Sequence, residues 1–484
     1  MQVSQFLTRP RAVLGLAFFG LLPLAWQASG ATPKHAMPHT TLRARIAPRS
    51  HGTLRPHSAL RPHAAGQPAT AIPLYTFPGK PDGARALSRL IQAGDGNFYG
   101  VTRGGGSGDR GSAFRMTPDG TVTTLDSFGQ GTQGTTPAGA FPGGPLVEGL
   151  NADGTPNGVF FGTTIQGGDN NAGTIYMLAP DAGRATKYAI SYLYLFTGGA
   201  DGGTPLGGLA IGRKADGTPD GYLYGTATTG GAISASNNHG LGVVFHMTTN
   251  GFVESVLYTF PDLGTGNINQ GDSPQGTLIQ SHDASGWGKF FGTTSDGGAG
   301  GYGTVFSITS AGKLVMLHDF PFTTDGYDPV SGLTQGADGT LYGTTFYGGI
   351  ALGGTVYRLV PDAKSSTGYT YSQVVSLDYT NANPQESVIQ ASDGKLYGTS
   401  EAGGGGTGSV FRVDADPNSP TGFSATQIFT PTDPTTQGQG IFAGVTQGTD
   451  GDLYGATATG GSGNAGTIYR LNVGAPSTIK SLSH

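Results

Sequence analysis

Five glutamines, Gln92, Gln280, Gln335, Gln390 and Gln447, each stand two residues after an apolar residue in a short run that precedes a turn. Set side by side on neighbouring strands, such amides would read a sugar or a peptide through paired donors and acceptors, or bond between strands and satisfy backbone groups there. Acids beside Gly or Pro also recur, at Asp82, Asp201, Asp272, Asp325 and Asp328. Oxygen-rich loops suit Ca²⁺, yet each offers one or two carboxylates where about six to eight ligands are needed, so a turn-forming role competes with a metal. Glycoside hydrolysis needs two carboxylates facing one bond, and the candidates are Glu148 and Glu386. His239, His246, His282 and His318 are scattered, without a Ser and Asp constellation or a metal-ligand spacing. With no cysteine, disulfides, thiolate metal sites and cysteine nucleophiles are excluded. No P-loop is present, and Gly-x-Gly strings carry no nucleotide information where Gly is this common.

The elements that position these residues follow from a phrase repeated seven times. An aromatic-Gly step occurs at Tyr99-Gly100, Phe161-Gly162, Tyr224-Gly225, Phe291-Gly292, Tyr342-Gly343, Tyr397-Gly398 and Tyr454-Gly455. A Gly-Gly pair follows each step, and then a Gly-led β-branched and aromatic run. In the fifth repeat, residues 329–335 predict a first strand, Asp338-Gly339 a tight hairpin, 341–345 a second strand, 354–359 a third and 371–379 a fourth. The successive steps lie about 59 residues apart, more than the ~40–50 of common propeller blades, with the excess in hairpin tips and inserted loops.

The seventh repeat lacks a fourth strand before Gly474-Ala475-Pro476. Ile72-Pro73-Leu74-Tyr75-Thr76-Phe77 resembles Val256-Leu257-Tyr258-Thr259-Phe260, the fourth strand of repeat three. The chain therefore reads as an all-β, seven-bladed propeller of four-stranded antiparallel blades, closed by residues 72–77 completing the last blade. The step aromatic is expected to pack between sheets. Its Gly is expected to let another side chain approach the backbone, since a residue present in every blade serves a need that every blade shares.

These units resemble the GloVer tandem-repeat family, whose repeats run Leu-Tyr-Gly-Thr-Thr, Gly-Gly, Gly-Thr-Val-Phe; residues 341–359 match almost word for word, and the likeness spans roughly 72–473. The resemblance implies a secreted β-propeller. Only Trp26 and Trp287 are present, which separates the chain from propellers that dock a Trp in most blades.

Residues 1–31 read as a signal peptide: Arg9 and Arg11 precede an apolar stretch from Ala12 to Trp26 that Pro23 interrupts, with small residues Ser29-Gly30-Ala31 after it. Residues 32–70 read as a basic linker rich in His and Pro, 71–474 as the propeller and 475–484 as a short tail. All Lys and Arg before residue 71 are unopposed by acids, leaving 18 of the 26 basic residues against all 31 acidic ones in the rest, a balance of −13. An acidic ring argues against a nucleic-acid partner. The expected protein is exported, to the periplasm, the cell surface or the medium, with no membrane span in the mature chain. It is expected to be monomeric, to need no cofactor, and to bind a cell-envelope glycan or protein through its loop face without catalysis. A hydrolase or lyase acting on extracellular polysaccharide, and a purely structural surface protein, are the alternatives.

Overall fold

The computed structural model describes residues 69–129, 139–231, 240–251, 254–261, 271–283, 286–322 and 324–473. The expected signal peptide, nearly all of the basic linker, His239 and the tail lie outside these residues.

Seven antiparallel sheets form the ring of a seven-bladed β-propeller, blade 1 spanning 91–127, blade 2 140–195, blade 3 210–259, blade 4 279–319, blade 5 334–376, blade 6 389–429 and blade 7 446–472. Six sheets have four strands; blade 2 adds a short strand, Ala140–Pro142, paired to its second strand. Blade 7 is completed by Thr70–Thr76, which runs antiparallel to Thr467–Asn472. Pro73 pairs with Tyr469 and Tyr75 with Ile468, the register slipping at the bulged Leu74. The N-terminal strand is thus the clasp that the repeat pattern predicts.

The apolar core is not central. It consists of seven clusters, each filling one seam between adjacent blades. Strand alternation produces this, because successive side chains point to opposite faces. Phe98 faces blade 7 and meets Tyr454 at 4.1 Å with the rings tilted, while its neighbour Tyr99 faces blade 2 and stacks 4.1 Å from Phe160. The hydroxyls of Tyr99, Tyr224, Tyr397 and Tyr454 donate to the turn aspartates Asp95, Asp220, Asp393 and Asp450 four residues earlier, at 2.8–2.9 Å.

The glycine of the step has one function in all seven blades. The third-strand ring lies across it; a Cβ on Gly343 would sit 2.4 Å from Tyr357, and its six counterparts meet Phe114, Tyr176, Phe245, Phe306, Phe411 and Tyr469 in the same way. In six blades the Gly that opens the third strand meets the next blade: Gly354, at φ +93°, would drive a Cβ to 2.3 Å from the Thr345 carbonyl and 3.1 Å from Pro384 of the blade 6 entry loop.

Two sequence expectations change. In blades 1, 5, 6 and 7 the innermost strand pairs over two residues only, such as Thr334–Gln335, because the segment before it turns to the neighbouring blade. Near the axis the backbones nearly touch: a Cβ on Gly332 would lie 2.4 Å from the Thr277 carbonyl. The fourth strand of blade 5 likewise begins and ends earlier than read, at Tyr369–Ser376.

Candidate functional site

The glutamines form a ring of staples between blades. Each side-chain oxygen accepts the backbone N–H two residues past the corresponding glutamine position in the preceding blade. Gln280 accepts from Arg213, Gln335 from His282, Gln390 from Ala337, Gln447 from Ser392 and Gln92 from Thr449, at 2.8–3.0 Å. Blade 2 carries Glu148 at this position, and its carboxylate accepts the Gly94 N–H of blade 1 at 2.8 Å and the Gly158 N–H at 3.3 Å. Blade 3 carries Ile211 there. The seam between blades 2 and 3 therefore lacks the staple, and a cavity of about 320 Å³ opens beside Leu150, Ala152, Ile211 and Lys214.

Glu386 lies far from Glu148 in the ring, in blade 6, paired at 3.8 Å with Arg89 of the blade 1 inner segment. Burial pushes the Glu386 carboxyl up and the Arg89 guanidinium down, and each charge partly offsets the other's shift. Arg89 also donates to the Ser387 carbonyl at 2.7 Å, passing over Gly444 of blade 7. It lines a shallow cavity of about 410 Å³ together with Gln92, Thr334, Gln390, Thr446 and Gln447.

The entry loops carry the aspartates to the opposite ends of the inner strands. Asp201 accepts from the Thr197 N–H and the Tyr194 hydroxyl, and Asp82 accepts from the Thr124 hydroxyl at 3.4 Å. Asp272 is buried in a backbone bridge with Asp296. The Asp325 carbonyl accepts the hydroxyls of Thr355 and Tyr371, and its carboxylate stands 4.0 Å from His318. His318 lies flat on Tyr371 at 3.7 Å, and burial lowers its pKa to about 4; His246 stacks on Tyr222, with its pKa also lowered by burial. Among the described residues no three His, Asp or Glu side chains gather as a metal site, and no helix is long and apolar enough to cross a membrane.

Asp328 belongs to a feature that the sequence reading missed. Each entry loop makes a knuckle at one left-handed residue: Arg85, Phe141, Thr204, Ser273, Asp328, Asn383 and Gly440, at φ +50° to +75°. The knuckle N–H donates to a carbonyl in the preceding blade, as Asp328 does to Tyr302 at 2.9 Å and Asn383 does to Gly353 at 2.8 Å. Its own carbonyl, in six of the seven, accepts the N–H just past the second strand of the same blade, as Asp328 does from Phe346. Five of the seven knuckles precede a proline, the one mark by which sequence could have found them.

Around Asp328 the loop face is aromatic. Tyr302 stacks on Phe322 at 4.9 Å and meets Tyr327 at 5.5 Å; Tyr327 stacks on Tyr347 at 5.5 Å. Phe322, Ile350, Leu352 and Tyr379, all in loops of blades 4 to 6 on this face, are 63–75% exposed. The half-buried Asp328 carboxyl is pushed up to about 7, by burial first and then by Asp296, which burial also raises. Ser295 donates to Asp296 at 3.1 Å and accepts from the buried Gln275 side chain at 2.8 Å.

Blade architecture, clasp and interblade staples define a closed seven-bladed propeller with a loop face built on repeated knuckles. By sequence, residues 63–288 and 280–484 match the model of the Gloeobacter/Verrucomicrobia repeat, and the chain belongs to that family. No curated protein matches it. Among solved structures it is similar to the soluble aldose sugar dehydrogenase of Escherichia coli (15% identity, 84% of this chain and 99% of that one, TM-score 0.39). It is also similar to an ancestral GH74 enzyme (10% identity, 83% and 49%, TM-score 0.48) and to a chain of a nidogen/laminin complex (14% identity, 67% and 88%, TM-score 0.36). At such identities and scores the likeness is one of general fold.

Proposed function

We propose that this propeller is an exported binding protein that engages a cell-envelope partner, glycan or protein, through its entry-loop face and does no chemistry on it. One observation carries the reading: among the described residues, the four most exposed large apolar side chains, Phe322, Ile350, Leu352 and Tyr379, all fall in one sector of that face. A monomer in water gains nothing from such a patch, which is the usual mark of an interaction surface. The candidate acids support the same reading. Glu148 is engaged as a staple and Glu386 as the partner of Arg89, in blades that are not adjacent.

The test is retention on isolated cell envelopes and on a glycan array, comparing the wild type with a Phe322→Ser, Ile350→Ser, Leu352→Ser variant. Loss of retention in the variant supports the loop face, whereas undiminished retention removes it. The rival is a polysaccharide hydrolase using Glu148 or a loop aspartate as acid or base. Reducing-sugar release that disappears in Glu148→Gln would establish that rival.

A further inference from the structure

The seven repeats act as internal controls for one another. Three backbone positions meet at every seam on the loop face: the carbonyl that receives the knuckle N–H, the residue before the knuckle, and that residue's counterpart just past the second strand. At the seam of blades 4 and 5 they are Tyr302, Tyr327 and Tyr347. At the other seams the first position is Arg110, Ala172, Leu241, Gly353, Thr407 or Ala465. The second is Ala84, Ala140, Gly203, Asp272, Ala382 or Gln439, and the third is Gly104, Gln166, Thr229, Asp296, Ala402 or Thr459. Six seams close with no aromatic at any of the three positions, so ring closure does not require these tyrosines.

The same seam carries two further features that do not serve the fold. Phe322 leaves most of its ring in water while extending the tyrosine run, and Asp328 holds a carboxyl beside Asp296 where blade 6 manages with Asn383. Features that cost stability and break a local pattern concentrate at functional sites.

We propose that the run Phe322, Tyr302, Tyr327 and Tyr347, with Asp328 and Asp296 beside it, is a binding site for a neutral saccharide chain. This deepens the loop-face reading and rests on it. Phe322, Tyr302 and Tyr327 form a triangle with centroids 4.9, 5.5 and 5.2 Å apart, and Tyr347 lies 5.5 Å from Tyr327, so the cluster presents an apolar patch on the scale of a pyranose ring to the C–H face of a sugar. The tyrosine hydroxyls can donate to or accept from ring hydroxyls, and the carboxyls can accept from them in charge-assisted bonds. Once ionised, the two carboxyls disfavour uronic acids and phosphorylated sugars by like-charge repulsion.

Titration calorimetry of the full chain with neutral hexasaccharides of β-linked glucose, N-acetylglucosamine, mannose and xylose tests the site. Binding of at least one is expected, weakened about tenfold or more in Phe322→Ala, a substitution at an exposed side chain, and unchanged in Lys364→Ala, an exposed residue of the hairpin between the third and fourth strands of blade 5. Tyr327→Ala is expected to weaken it further with the melting temperature recorded alongside. Saccharide binding that Phe322→Ala leaves intact overturns the site but not the loop-face reading. Capture of a protein, lost in Phe322→Ala, with no hexasaccharide bound overturns the saccharide assignment alone. No retention of envelope material or sugar by the wild type overturns both.

Discussion

The Arg89 guanidinium of blade 1 hydrogen-bonds the Ser387 carbonyl of blade 6 at 2.7 Å, spanning blade 7 where Gly444 leaves room for it. A Cβ on Gly444 would lie 2.7 Å from Arg89 Nε, so the guanidinium must shift in Gly444→Ala, away from its contacts with Ser387 and Glu386. Glu386 then loses its partner in a half-buried setting. Removing one member of such a pair is costly, and Gly444→Ala is expected to lower stability by about 2–3 kcal/mol in urea unfolding. Glu386→Gln is expected to relieve part of that loss. A Gly444→Ala protein as stable as the wild type would show that the span across blade 7 contributes nothing.

The staple ring predicts an asymmetry at Glu148. Because glutamine fills this position in five other blades, Glu148→Gln keeps the acceptor for the Gly94 N–H and is expected to leave the melting temperature within about a degree. Gln335→Ala removes the acceptor for the His282 N–H and is expected to cost about 1 kcal/mol. Equal losses in both variants would contradict the shared role.

Tyr357 places its hydroxyl in the core without a hydrogen-bond partner, where blades 1, 3, 4 and 6 use phenylalanine. Burial drives its pKa far up, as expected of a phenol away from water. Tyr357→Phe is expected to raise stability by about 1 kcal/mol, the cost of an unsatisfied buried polar group. Gly343→Ala, pressed against the same ring, is expected to lose several times as much by overpacking. Thermal unfolding of the two variants checks both signs.

Asp328 makes stability depend on pH in a stated direction. Its folded pKa of about 7 lies above the ~3.9 of an unfolded aspartate, so between these values the native state keeps a proton that the unfolded chain has released. Its contribution is complete below about pH 4, declines as pH rises to about 7, and is flat beyond. Asp296, Tyr302, Tyr327 and Tyr347 face or adjoin it, and Asp296 is shifted in the same direction. Asn383 shows that asparagine accepts the knuckle conformation, so Asp328→Asn is expected to match the wild type near pH 4 and to exceed it by roughly 1–2 kcal/mol at pH 8, the burial being partial. Parallel pH profiles for the two proteins would remove Asp328 as the source.

The aromatic-Gly step of all seven repeats, the Asp-Gly turns of six and the missing fourth strand of the seventh made the propeller and its clasp legible in the sequence, because each is a local pattern that shows once the repeats are set side by side. The glutamines were legible as a ring, but not whether they face a ligand or the neighbouring backbone. That depends on a contact between residues about 53 to 67 positions apart, or 357 across the closure, which local spacing does not encode. Glu148 and Glu386 likewise read as free acids until the fold placed one against Gly94 and the other against Arg89. The aromatic run was hidden for the same reason. Tyr302, Tyr327 and Tyr347 come from three loops of two blades, and only the closing of one seam onto the next brings their rings together.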